Sequence, residues 1–212
     1  MMKSQKGRYL AVAVMACGLP GIPSALAQTP EFPTVYYGAA YYHEYMPYER
    51  LEKDVEFMEK AGITFARVGE STWGLLEPRD GEFDFAWLER VIDRLHKAGI
   101  RVMLGTPTYS IPAWLFKKHP EIQVKQINQP RYTYGLRQMT DLTHPTYRFY
   151  AERIVRRLVG HFKDHPAIIG YQIDNETHAS GTADAHVQEL FREHVKKKFK
   201  TAAELNKAWG LN

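Results

Sequence analysis

The sequence predicts an α/β fold in which strand and helix units repeat along a parallel sheet. Three observations predict it. Apolar, β-branched and aromatic runs alternate with amphipathic stretches. Two of those stretches end in the same Lys-Ala-Gly-Ile string, at 60–63 and 97–100, and each string leads straight into an apolar run. Little linker separates one unit from the next, as right-handed crossovers between parallel strands require.

Residues 35–42 are aromatic and β-branched enough for a first strand, and 48–61 form the first helix, with Leu51, Val55, Phe57, Met58 and Ala61 at helical spacing and Gly62 as its stop. A second strand is expected over 63–68. After the turn-rich loop 77–81, a second helix covers 85–98 and stops at Gly99. The third strand is read at 100–104 and the third helix at 146–162. The roughly forty residues between them exceed an ordinary connection and make a candidate functional insertion. Residues 167–173, nearly all apolar, suit a parallel strand covered on both faces. A helix over 184–200 follows, and 202–208 begins another.

Two architectures accommodate four such units: an open doubly wound sheet, or part of an eight-unit (β/α)8 barrel. No Gly-rich phosphate loop follows the first strand, because Gly38, Ala39 and Ala40 lie within it and Tyr41-Tyr42-His43-Glu44 comes next. That weakens the dinucleotide-binding form of the open sheet. A complete barrel takes about 250 residues, so a barrel reading carries the expectation that 28–212 is the N-terminal part of a longer domain.

The 212 residues are 44% hydrophobic and 25% charged, proportions of a globular chain that exclude disorder. The net charge of +4 owes three units to Lys3, Lys6 and Arg8. These precede an apolar run over 10–19, a Pro20-Gly21 break and Ala25-Leu26-Ala27, the order of parts in a secretory signal peptide. The expected leader is 1–27, with export to the periplasm or medium; Cys17 in Val14-Met15-Ala16-Cys17 offers a lipoprotein site as the alternative. The run is too short to span a bilayer. Removing the leader takes away the only cysteine, and with it any disulfide or Cys-ligated zinc. It also leaves charges almost balanced, which gives no reason to expect nucleic acid as a partner.

Catalytic groups of a barrel sit just after its strands. The polar residues there are His43 and Glu44, Arg67 and Glu70, Thr106, Thr108 and Tyr109, then Asp174, Asn175 and Glu176. No nucleophile elbow, His-Glu-x-x-His helix or Walker loop occurs. Gln172-Ile173-Asp174-Asn175-Glu176 is the sharpest feature: an apolar strand ending in an amide and carboxylates presents acid and hydrogen-bonding groups at a rim, as acid catalysis on a sugar requires. Position alone favours a helix cap or turn over a catalytic role. Asn175-Glu176-Thr177 is also a formal glycosylation sequon, discounted because a barrel mouth is a poor acceptor.

The motifs taken together resemble a known family. Arg67 to Trp73, Leu76-Glu77-Pro78, Gly81 to Leu88, Leu104 to Thr108, Pro112 to Leu115, Tyr134-Gly135, Arg137, Gln172 to Glu176 and Leu205 to Gly210 follow the order of the N-terminal catalytic domain of glycoside hydrolase family 42 β-galactosidases. The resemblance implies a (β/α)8 TIM barrel that cleaves terminal β-galactosides with retention and uses no cofactor. It makes Glu176 the general acid/base and Asn175 the partner of the sugar 2-hydroxyl. Arg67 becomes the arginine that keeps the nucleophilic carboxylate ionised, and Trp73, Trp114 and Arg137 fall near the substrate pocket. It further implies a nucleophilic Glu after a seventh strand, beyond the units read here, and trimer formation in the full-length protein. Glu176 is expected in an apolar or negative setting that keeps it protonated.

One departure concerns metal: the cysteine cluster that binds structural zinc in many family members is missing from 177–190, where His178, His186 and His194 read as solvated helix residues. Two rival readings stand beside the glycosidase, namely a non-catalytic carbohydrate-binding truncated barrel and a metal-dependent barrel hydrolase using His43, His144 or His178. Glu70 is expected to serve as counter-ion to Arg67. Tyr36, Tyr37, Tyr41 and Tyr42 are expected chiefly to fill the barrel.

Overall fold

The computed structural model describes residues 34–135, 137, 139–177 and 181–211. The expected leader with Cys17, and His178, lie outside them. The chain divides into two units, Met1–Val35 and Tyr36–Asn212, and every element below belongs to the second.

Four strands, β1 (Gly38–Ala40), β2 (Phe65–Val68), β3 (Arg101–Gly105) and β4 (Ile168–Gln172), form one sheet in the order 1-2-3-4 with all neighbours parallel. An order that never reverses has no switch point, which separates a barrel segment from the doubly wound alternative. Crossovers run through α1 (Arg50–Lys60), a short α2 (Trp73–Leu76) with α3 (Ala86–Lys97), and, after β3, α4 (Ala113–Lys118) with α5 (Pro145–Phe162). Two further helices, α6 (Ala185–Lys198) and α7 (Ala202–Trp209), follow β4.

Period-2 alternation in β2 and period-3.6 spacing in the helices meet in one core. Ala66, Val68, Val102 and Leu104 turn one face of the sheet toward Leu51 and Val55 of α1 and toward Leu88, Val91, Ile92 and Leu95 of α3. Ile154, Leu158 and Phe162, four residues apart on α5, complete it. Each fully buried Leu, Ile or Val contributes about 1.5–3 kcal/mol by removal from water. Polar clamps fix the helices: Arg94 on α3 reaches Glu52 on α1 at 2.7 Å. His144 Nδ1 accepts from Thr146 N ahead of α5, and Thr201 caps α7 by accepting from Glu204 N.

Helices and strands fall within a few residues of the expected spans. The forty-residue insertion is built of short pieces: one-turn 3-10 helices at Pro107–Tyr109 and Pro120–Ile122, α4 between them, and antiparallel bridges Gln123 to Thr140 and Lys125 to Arg131. β4 differs from expectation, since all five of its residues are half-buried. It has one strand neighbour, and α6, which follows it, contributes no buried residue.

The tyrosines divide. Tyr41 joins the core, Tyr37 is exposed, Tyr36 lies against Phe65 with ring centroids 6.1 Å apart, and Tyr42 turns its hydroxyl to the strand ends. Among the described residues no helix is long and apolar enough to cross a membrane.

Candidate active site

Alternation along β2 buries Ala66 and Val68 and leaves Arg67 on the opposite face, half-buried, at the C-terminal end of the sheet. There it organises four partners. Its Nη2 lies 2.7 Å from Oε2 of Glu70 and donates to the Tyr42 hydroxyl at 2.7 Å; its Nη1 donates to Gln172 Oε1 at 2.9 Å and to Asn175 Oδ1 at 3.4 Å. Tyr42 in turn donates to Glu70 at 3.4 Å, and Gln172 Nε2 donates to Asn175 Oδ1 at 2.9 Å. Glu70 is 2% exposed, so it is the guanidinium's buried counter-ion, as its spacing in the sequence suggested. Ends of β1, β2 and β4 are thereby tied into one polar network around Asn175.

One glycine lets the strand ends approach this closely. A Cβ on Gly105, the last residue of β3, would lie 3.0 Å from the Glu70 backbone nitrogen. Backbone strain gathers at the same rim. Ser71, Asp174 and Glu176 have φ of 62°, 58° and 45°, left-handed conformations that cost a non-glycine residue on the order of 1 kcal/mol or more each. Compensation is visible at Asp174, whose N–H donates to Thr106 Oγ1 at 2.8 Å and whose carboxylate accepts from Thr177 at 2.6 Å.

Glu176 follows this strained turn. Its Oε2 accepts a 2.6 Å hydrogen bond from the hydroxyl of Tyr109, a buried residue of the turn after β3. That bond, followed by burial, raises the Tyr109 phenol above its ordinary pKa, so the phenol stays a donor. Arg137 lies over the same tyrosine ring at 5.1 Å. The carboxylate is exposed, in contrast with the apolar or negative enclosure expected for it.

Arg67, Asn175, Glu176 and, through Tyr109, Arg137 are therefore brought together. Two other predicted residues are not. Trp73 is wholly buried in the core, its Nε1 donating to Glu77 Oε2 at 2.9 Å. Trp114 is half-buried, donates to the Glu77 carbonyl at 2.7 Å and packs edge-on against Tyr150 of α5. Both tryptophans serve the buried Glu77, which also binds Arg153 and accepts from Gly81 N at 2.8 Å. Sequence reasoning listed Tyr109 among the polar residues after β3 without giving it a role, and it read Tyr42 as barrel filling, although both reach the network at the favoured end.

Glu44 is a further carboxyl at the rim, in the one-turn 3-10 helix His43–Tyr45. Burial, reinforced by repulsion from Glu70 and opposed by a backbone hydrogen bond, pushes it up to about 7. His43 is buried with Nδ1 3.2 Å from the Tyr41 hydroxyl, and burial holds its pKa below the ordinary histidine value. His144 caps α5 and packs edge-on against His186. Among the described residues no three His, Cys, Asp or Glu converge on a metal position.

The arrangement places an amide and a carboxylate side by side at the end of β4. The Glyco_hydro_42 family model, described as beta-galactosidase, matches residues 40–212. Beta-galactosidase BgaH of Haloferax lucentense is 36% identical over 176 residues, covering 82% of this chain and 26% of the relative. Beta-galactosidase BgaB of a Geobacillus species is 35% identical over 181 residues, with 84% and 27% covered. The crystal structure of beta-galactosidase from Bacillus circulans sp. alkalophilus superposes with a TM-score of 0.79 at 32% identity, covering 84% of this chain and 26% of that one. The enzyme from the psychrophilic Marinomonas ef1 gives 0.77 at 34% identity, with 83% and 27% covered. The chain thus spans about a quarter of the length of the relatives it matches. It belongs to the family 42 glycoside hydrolases and carries four neighbouring units of their (β/α)8 TIM barrel.

Proposed function

We propose that this chain contributes the acid/base half of the active site of an exported, retaining β-galactosidase that acts on terminal, non-reducing β-D-galactosides. The observation that carries the reading is the Glu176 carboxylate at the end of β4, held by Tyr109 and next in sequence to an Asn175 fixed by Arg67 and Gln172.

In the first step a carboxylate attacks the anomeric carbon and forms the glycosyl ester. The C–O bond to the leaving group breaks, and Glu176 gives that oxygen its proton. In the second, Glu176 takes a proton from water as the water oxygen displaces the carboxylate and releases galactose. Retention needs the two carboxyl groups about 5–5.5 Å apart. Glu70 is buried against Arg67, and Asp174 is bound by Thr177 and Thr106, so neither suits attack. The reading assigns attack to a glutamate on a seventh strand of the whole barrel, and Arg67 would keep it ionised.

Asn175 accepts through Oδ1 from Gln172 and Arg67, which orients its amide group for the sugar 2-hydroxyl. No cofactor enters this chemistry. The reading includes cleavage of residues 1–27 on export and allows self-association of the full-length protein.

The test is Glu176→Gln in the whole protein. Hydrolysis of galactosides with poor leaving groups should fall by about 10²–10⁴-fold, while binding of galactose persists. Full activity in that variant would reject the assignment.

A further inference from the structure

β4 ends at Gln172 and α6 starts at Ala185, and Glu176 belongs to the connection between them. At its start the connection is tied to the turn after β3, where Asp174 N donates to Thr106 Oγ1 at 2.8 Å. At its far end Asp184 pairs with Arg131, a residue of the insertion between β3 and α5 that lies 53 positions away in the chain.

The pair is bidentate. Arg131 Nη2 donates to Asp184 Oδ1 at 2.7 Å, and Nη1 reaches Oδ2 together with the carbonyl oxygens of Glu121 at 2.9 Å and Gln123 at 2.8 Å. A planar guanidinium serves both oxygens of a carboxylate and the backbone at once, which a single ammonium cannot. The Asp184 side chain is 12% exposed, so the pair is sheltered from the solvent that reduces surface ion pairs to little. Arg131 stands on a fixed backbone: it is bridged to Lys125, Tyr132 N donates to the Val124 carbonyl at 3.0 Å, and Gln123 is bridged to Thr140.

The carboxylate is diverted from its ordinary use. Asp184 is the N-cap of α6, where an aspartate usually accepts from the first amides of its helix, yet its side chain makes no such bond. Two further bonds meet at the same place. Ala183 N donates to the Lys125 carbonyl at 2.6 Å, and His186 Nε2 lies 2.9 Å from the Thr143 carbonyl oxygen. Because α6 contributes no buried residue, these polar ties hold its start where no core residue does.

We infer that Arg131 and Asp184 are positioning residues for the acid: their pair clasps the start of α6 to the insertion and fixes the far end of the connection that carries Glu176. This rests on the proposed glycosidase function. Glu176 is exposed and has a φ of 45°, so neither burial nor backbone preference holds its turn. With the end at Asp184 released, the turn gains conformations, and the Tyr109 hydroxyl meets the carboxylate in fewer of them. Both residues act through the connection and not on the sugar.

The experiment uses the whole protein with methyl β-galactoside, whose leaving oxygen needs the proton of Glu176, and a dinitrophenyl β-galactoside, whose leaving group departs without it. For both substrates kcat/KM reads the bond-breaking step. Asp184→Asn keeps the size and capping ability of the residue and removes its charge. Arg131→Gln breaks the pair from the other side. The ratio of kcat/KM for the methyl over the dinitrophenyl substrate should fall about fivefold to tenfold in each variant. The double variant should lose no more than either alone, because the clasp is already open. An unchanged ratio in either single variant, whether the two rates drop together or stay put, overturns the assignment, and so do losses that multiply in the double variant.

If the wild-type protein hydrolyses neither substrate, the glycosidase reading fails and hydrogen exchange decides the clasp by itself. Amides of residues 174–177 that exchange about tenfold faster in Asp184→Asn, with β2 and β3 as protected as in the wild type, uphold it. Equal exchange at 174–177, or protection lost throughout the sheet, rejects it.

Discussion

The hydroxyl of Tyr109, after β3, donates a 2.6 Å hydrogen bond to Oε2 of Glu176, after β4, and Arg137 lies 5.1 Å above the same ring. Glu176 sits at φ 45° and is exposed, so its own backbone and packing give the carboxylate little orientation. The buried phenol supplies it. Tyr109→Phe keeps the ring and the contact with Arg137 and removes the hydroxyl that donates to the acid. Hydrogen bonds to charged groups contribute about 1.5–3 kcal/mol, so in the whole protein kcat for an alkyl galactoside should fall by roughly tenfold to a hundredfold. A dinitrophenyl galactoside, which departs without protonation, should lose far less. Equal losses on both substrates would show that the phenol supports the fold alone.

A second relationship is the pairing of Arg67 with Glu70 across 2.7 Å, with Glu70 2% exposed. Removing the cation from a buried pair leaves an uncompensated charge, a loss of about 3–5 kcal/mol. Arg67→Met should lower the urea midpoint accordingly, and adding Glu70→Gln should restore a large part of it. A double-mutant cycle reads the coupling directly, and additive effects would place Glu70 outside the influence of Arg67. Arg67→Lys is no substitute, because a single ammonium cannot serve Glu70, Tyr42, Gln172 and Asn175 in one plane.

Much of this was legible in the sequence because periodicity and glycine punctuation report local structure. Lys60 to Ile63 and Lys97 to Ile100 mark helix ends that the structure places at Lys60 and Lys97, and the strand of 167–173 appears as β4. Arg67, Glu70, Asn175 and Glu176 were legible for a related reason, since a polar residue that abruptly ends an apolar strand stands at a rim. The tryptophans were not. Trp73 has the composition of a sugar platform, yet its partner Glu77, four residues on, is itself wholly buried, and no local pattern reports that a carboxylate will pair inward. Tyr109 was hidden differently: its role depends on the reach from one strand end to the next, a distance of 67 positions in the chain.

Glu44 gives the pH dependence. Its carboxyl is half-buried at the rim, Oε1 has no partner, and burial together with the Glu70 charge pushes it from 4.5 up to about 7. The groups that face it are Glu70, which disfavours its ionisation, and the backbone of its own turn, which favours it. Between those two pH values the native state binds a proton that the unfolded chain has lost, so stability falls as pH rises through this range. Its contribution is complete below about pH 4.5 and lost above about pH 7. The full shift would correspond to several kcal/mol, and solvent screening at a half-open site reduces it to about 1–2 kcal/mol. Glu44→Gln presents an amide that cannot ionise and removes this term. The stability difference between Glu44→Gln and wild type, from urea midpoints, should therefore shift in favour of the variant between pH 5 and pH 8. A difference that stays constant across that interval would mean that Glu44 ionises in the folded protein as readily as in the unfolded chain.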